Sequence, residues 1–165
     1  MLKGLLVVCA SLAVAANSGA AQPEVRVDTA QLKAPRPLND DTRNAAIRDY
    51  LDSWQSMSSA LWQDRAGLLD ADFVGTARER LAGTIENQAE LGVSTRYQDR
   101  AHNIQVLFYS PEGLSIELAD TVDYLVQVFD HGKQLASYPE HARYIVLLTP
   151  SEVRWRVRVF QAIAD

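Results

Sequence analysis

Three histidines, one cysteine and a handful of tyrosines and aspartates carry what chemistry this sequence can do. His102, His131 and His141 lie where the local pattern predicts strand ends or turns, and no two share helical i, i+4 spacing. His131 and His141 would meet only across a hairpin, so no metal-ligand set is legible. Asp120, Thr121 and Asp123 are too sparse for a calcium loop. There is no Gly-rich phosphate loop and no G-x-S-x-G elbow. Acid–base chemistry is what remains. Tyr50, Tyr124 and Tyr144 place hydroxyls within apolar patterns, and Asp72 places a carboxylate just ahead of a helix start. Such groups become catalytic when an apolar wall moves their pKa values. Yet the apolar strand face reads Val106, Phe108, Ile116, Leu118, Val126, Val128, Val146, Trp155 and Val157, with no inward Asp–His or Asp–Arg–Asp set. No catalytic residue, metal or cofactor is therefore assigned, and Asp72 reads as a capping or turn residue rather than a catalytic one.

The cysteine leads to the chain's address. Cys9 falls in an apolar stretch over residues 4–16, behind Lys3 and ahead of the small residues Ser18, Gly19, Ala20 and Ala21. That is the layout of a signal peptide, with cleavage expected after Ala20 or Ala21. Val8 is too large for the site before a lipid-bearing cysteine, so Cys9 reads as part of the apolar segment. Residues 1–21 are read as the leader, and a secreted or periplasmic chain is expected. Lys3 is the leader's only charge, so 15 basic residues of 16 remain against 21 acidic ones, a balance of -6. A thiol-free domain of about 144 residues then has to fold on packing alone. The acidic balance argues against a nucleic-acid partner, and no membrane span is expected after cleavage.

Residues 22–40 read as an extended linker or arm: Pro23, Pro35 and Pro37 favour open backbone, with a short strand over 25–27. Residues 41–165 read as one domain. Asp40 or Asp41 can cap a helix over 41–61, because Ile47, Tyr50, Leu51, Trp54, Met57 and Leu61 recur at three and four. Asp49, Asp52, Ser53 and Gln55 fall on its other faces. A shorter helical piece over 62–75 runs into extended Phe73-Val74. Thr76 and Glu79 match a capping box before a helix over 77–91, and Gly92 suits the left-handed position at its end. The period then changes to two, with turn chemistry at 110–113, 130–133 and 149–152. Helices followed by hairpin-linked strands predict an α+β domain with an antiparallel sheet.

Three segments in that order carry a resemblance. They are Tyr50-Leu51-Asp52-Ser53-Trp54, the run Leu68-Leu69-Asp70-Ala71-Asp72-Phe73, and the closing Trp155-Arg156-Val157. With them, residues 43–161 resemble the NTF2-like (SnoaL-like) superfamily. Trp54, the segment 89–92, Gly132-Lys133 and Tyr144 are similar, more narrowly, to the C-terminal domain of plastid-division proteins and of secreted bacterial relatives. The resemblance implies a cone of helices on a bent sheet, with an apolar pocket at its wide end. It also puts Tyr50, Trp54, Asp72, Phe108, Tyr124, Tyr144 and Trp155 forward as pocket candidates. Superfamily members isomerise, hydrolyse, cyclise or merely bind, so the fold leaves function open.

Arg154, Arg156 and Arg158 alternate on the last strand, opposite in face to Trp155. A tight hairpin over 149–152 would set them against Leu147, Ile145 and Arg143 on the outer sheet face. That face is either solvated, with arginine stems covering apolar neighbours, or an interface for a homodimer. The reading of function is a non-enzymatic domain that binds an apolar small molecule or a protein partner. The alternative is a small isomerase, hydrolase or cyclase working inside the cone.

Overall fold

The computed structural model describes residues 22–28 and 36–163. The expected leader, Cys9 and part of the arm lie outside the described residues. Helix α1 (Asp40–Gln63) is capped by Asn39, whose Oδ1 accepts from the Thr42 amide at 2.8 Å. The expected caps, Asp40 and Asp41, sit inside the first turn, where carboxylates complement the helix dipole. Tyr50, Trp54, Met57 and Leu61 bury one stripe of α1. Asp49 and Ser53, expected on polar faces, are buried as well. The chain folds back over that side, and Asp49 accepts from the Trp155 backbone amide at 2.8 Å.

A short 3-10 helix (Ala66–Leu69) leads to α2 (Gly75–Glu90). The capping box does not form: Val74 is the cap, and the Thr76 hydroxyl donates to the Arg158 carbonyl instead. The cause is strand-like pairing just upstream, where Phe73 bridges Val157 and the Val74 amide donates to the Val157 carbonyl. That pairing fixes the chain before the helix begins. Gly92 takes the left-handed conformation at φ 67°, as its position after α2 demands.

Beyond Gly92 the chain is sheet. Strands β2 (Val93–Tyr109), β3 (Ile116–Asp130), β4 (Lys133–Pro150) and β5 (Trp155–Ile163) form an antiparallel meander. A short β1 (Glu24–Asp28), the ordered piece of the arm, adds parallel to the β2 edge. Helices α1 and α2 close one face around a single core. The result is the expected α+β arrangement, helices on a curved, mostly antiparallel sheet.

Bulges decide which residues face that core, because an extra residue flips the alternation beyond it. A bulge at Leu107 turns Phe108 outward, where it is 36% exposed, and brings Tyr109 in. Phe108 is therefore on the outer face and not among the pocket lining. The β4–β5 register also differs from the tight-hairpin expectation. Ser151 closes a longer turn, its backbone amide and its hydroxyl both donating to the Arg154 carbonyl, and Pro150 pairs with Trp155. Leu147 then opposes Val159, Ile145 opposes Gln161 and Arg143 opposes Ile163. The three arginines do not form a stripe against those residues. Arg154 pairs with Asp72, and Arg156 donates to the carbonyls of Asp70 and Phe73. The Arg158 carbonyl holds Thr76. Arg154 and Arg156 tie the start of β5 to the segment between the 3-10 helix and α2, and Arg158 ties β5 to the first turn of α2.

Candidate functional site

Two elements of different period aim at one point inside the cone. On α1, Tyr50 and Trp54 stand one turn apart, and the Trp54 indole N–H donates to the Tyr50 oxygen at 2.8 Å. Tyr50 in turn donates to Asp120 Oδ2 at 2.8 Å. Asp120 keeps the inward parity of Ile116, Leu118, Val122 and Tyr124 on β3. On β2, His102 shares inward parity with Ile104 and Val106, and its Nδ1 meets the same Asp120 oxygen at 2.7 Å. Asp99 would face the other way on a regular strand. The bulge at Arg100 returns it to the inner face, with its Oδ2 4.0 Å from His102 Nε2.

Electrostatics follow from this burial. The side chains of His102 and Asp120 are both 0% exposed. Burial pulls the imidazole toward its neutral form, but the hydrogen bond and charge of Asp120, reinforced by Asp99, prevail and push its pKa up to about 9. His102 is thus a cation at neutral pH, with both ring nitrogens protonated. Burial, then the charge of Asp120, raises Tyr50 well above the usual tyrosine value, so its hydroxyl keeps its proton. Three polar atoms of this set have no hydrogen-bond partner among the described residues: His102 Nε2, Asp120 Oδ1 and Asp99 Oδ1. Buried polar atoms rarely stay unpaired without a reason.

The middle of the cone is full. Trp54 is 1% exposed and meets His102, Tyr124, Tyr144 and Phe160 edge-on at ring separations of 5.2 to 5.7 Å. Tyr124 and Tyr144 share a hydrogen bond at 2.9 Å, and burial raises both their pKa values. Open volume lies at the rim. A cavity of about 220 Å³ is walled by Pro23 and Val25 from the arm, Leu51 and Gln55 from α1, and Asp99 and His102 from β2. A wider groove of about 500 Å³ continues from it past Ser58 and Tyr97.

The expected pocket residues are therefore divided. Tyr50, Trp54, Tyr124 and Tyr144 meet in the interior. Trp155 is half-buried over α1, and Asp72 lies apart. Asp72 accepts from Ser56 at 2.5 Å and from Arg154, joining α1 to β5 beside a surface groove of about 460 Å³. His102, Asp120 and Asp99, which no sequence pattern puts forward as site residues, complete the polar set. For His102 and Asp120 a signal is present, since each keeps the parity of its apolar neighbours. For Asp99 the bulge hides it. Among the described residues no group of three His, Cys, Asp or Glu side chains is placed to hold a metal ion.

No protein-family model matches the sequence, and a search of curated proteins finds no match. Solved structures do resemble the chain. The intermembrane-space region of chloroplast protein ARC6 superposes with a TM-score of 0.65 at 14% identity, over 79% of this chain and 100% of that one. A putative scytalone dehydratase from Novosphingobium aromaticivorans gives 0.53 at 16% identity, over 76% and 89%. Aln2 from a Streptomyces species gives 0.51 at 13% identity, over 79% and 95%. At such identities these likenesses establish the fold, which is NTF2-like, with the plastid-division similarity among them.

Proposed function

We propose that this chain is an exported, non-catalytic binding domain that holds a small ligand at the arm-covered end of its cone. One observation carries the reading. The interior is filled by Trp54 and its ring neighbours, while the open volume, about 220 Å³, lies at the rim between the arm, α1 and the Asp99–His102 segment of β2. Sites for small molecules are concave and mostly apolar, with a few fixed polar groups, and Leu51, Pro23 and Val25 beside His102 and Asp99 fit that description. The leader pattern of residues 1–21 supports export. NMR with a panel of small neutral, acidic and basic organic probes tests the site. Shifts confined to the amides of Leu51, Gln55, Asp99 and His102 are expected. Shifts centred on Tyr144 and Phe160 would move the site into the cone and overturn the reading.

The enzymatic alternative has one observation in its favour. Tyr50, Asp120 and His102 form a hydrogen-bonded chain ending in an unpartnered ring nitrogen, which a general acid requires. The two readings differ in the fate of what binds. A ligand recovered unchanged after prolonged incubation supports binding. Conversion that is lost in Tyr50→Phe supports the enzyme.

We also propose that the outer sheet face pairs with a second copy. Phe108, Ala119, Ile145, Leu147 and Val159 adjoin there by register, and Arg143 is exposed beside them. Sedimentation should show a dimer that Ile145→Glu dissociates; a monomer that ignores the change would end the idea.

A further inference from the structure

On the outer face of the sheet, two side chains of opposite charge stand near each other and do not meet. Glu117 on β3 is half-buried in the row Phe108–Glu117–Leu147–Val159. Arg143 on β4 is exposed in the row Asn103–Thr121–Arg143–Ile163. Among the described residues neither side chain has an ion pair or a hydrogen bond. Elsewhere on that face charges are joined within the chain, as Asp123 is to His141. Register is what keeps this pair apart. Arg143 opposes Thr121, four residues along β3 from Glu117, or about 13 Å of strand. The two side chains cannot span that distance. Halfway between them lies an apolar cross-strand pair, Ala119 with Ile145.

We propose, building on the outer-face pairing above, that a second copy docks with the twofold axis over the Ala119–Ile145 pair, so that Glu117 of each copy meets Arg143 of the other. A twofold axis through the midpoint of two points exchanges them, so one placement forms both ion pairs at once. It also lays each Ala119–Ile145 pair against its own counterpart at the centre of the contact. The apolar residues supply the area, and the two charges fix the register. A copy slid until the two Glu117 rows lie together would set that carboxylate among apolar residues and near its own counterpart, with no cation in reach. Arginine suits the position, because its planar fork holds a carboxylate through two parallel hydrogen bonds and gives up water more readily than an ammonium. The chain as a whole is acidic, so net charge pushes two copies apart. The attraction is therefore local.

Charge reversal, read by sedimentation of the full chain, tests the register. In a dimer, Glu117→Arg sets arginine against arginine twice, and Arg143→Glu sets glutamate against glutamate twice. Each should weaken the dimer about a hundredfold. Mixed in equal amounts, the two variants should form a heterodimer, because both contacts are then opposite in sign. The double variant Glu117→Arg/Arg143→Glu should dimerise like the parent for the same reason. Net charge alone predicts the reverse for Glu117→Arg, which makes the chain less acidic and would strengthen a dimer limited by overall repulsion. If a reversal unfolds the chain, Glu117→Gln and Arg143→Gln serve in its place, and each should weaken the parent dimer about tenfold. Single reversals that still dimerise, or a mixture that stays monomeric, would overturn this register and leave the outer-face pairing to be judged by Ile145→Glu. A monomeric parent would overturn both.

Discussion

On the inner face of β3, Asp120 holds His102 at 2.7 Å, and neither side chain touches water. On its outer face, three residues along, Asp123 holds His141 at 2.6 Å, with the side chains 55% and 61% exposed. Geometry, residue types and host strand are nearly the same, so the contrast isolates burial. In water the attraction of such a pair is screened and offset by side-chain entropy. Inside, the lower effective dielectric makes it stronger, and it has to offset a large desolvation penalty. The buried pair has accordingly recruited Tyr50 and, through it, Trp54. It still leaves one atom of each partner unsatisfied on its far side. A histidine–aspartate distance thus says little by itself. What surrounds the pair decides whether it holds the fold, faces a ligand or does neither.

The sharpest way to break this contrast is Asp120→Asn. It removes the counter-charge of a fully buried cation while keeping the shape, and should destabilise the chain by about 3–5 kcal/mol in urea unfolding. A loss below about 1 kcal/mol would mean the inner pair is no different from an exposed one. The pH profile provides an internal check. The folded pKa of His102, about 9, lies above the ordinary histidine value near 6.5. Its stabilisation is therefore complete below about pH 6.5 and lost as pH rises toward 9. It is on the order of 3 kcal/mol for a shift of this size. The parent should lose that much across the window. Asp120→Asn should be nearly flat there, and a parallel slope in both would assign the titration to another group.

How far the sequence discloses this arrangement depends on whether parity holds. α1 is legible from its three-and-four spacing, and Gly92 from its place after a helix. Tyr50, Trp54, Tyr124 and Tyr144 follow because aromatic residues on an apolar stripe go inward. His102 and Asp120 obey the same parity, and read as turn and loop residues only because polar side chains are assumed to seek water. Asp99 and Phe108 are out of reach, since each lies next to a bulge that nothing in the local residues announces. The arginines of β5 show the third kind of failure. Their alternation is real, but the turn closed by Ser151 shifts their opposing residues and gives Arg154 and Arg156 partners from a different element. Local pattern gives the face of a strand. Register and bulges belong to the whole sheet.

Asp72 lies between the two extremes. Its own side chain is 4% exposed, but that of its partner Arg154 is 35% exposed, and a groove runs beside them. Asp72→Ala should cost about 1–2 kcal/mol, since a charge-assisted hydrogen bond and the Ser56 hydroxyl lose their acceptor. Raising the salt concentration should shrink the difference, because the partner is open to solvent. A cost equal to that of Asp120→Asn would show that burial of one partner is enough.

The smallest effect is expected at Asp123→Ala, and it is the most exacting test of the comparison. Its bond to His141 is the shorter of the two, so a reading based on distance ranks it first. Exposure ranks it last, with a change within about 1 kcal/mol that fades in salt. The substitution lies on the outer face of β3, where no core residue is disturbed, so any larger loss would have to come from the pair. A loss of about 3 kcal/mol, the size expected of a buried pair, would show that the geometry of the bond outweighs its solvent. The buried set around His102 would then lose its claim to be special.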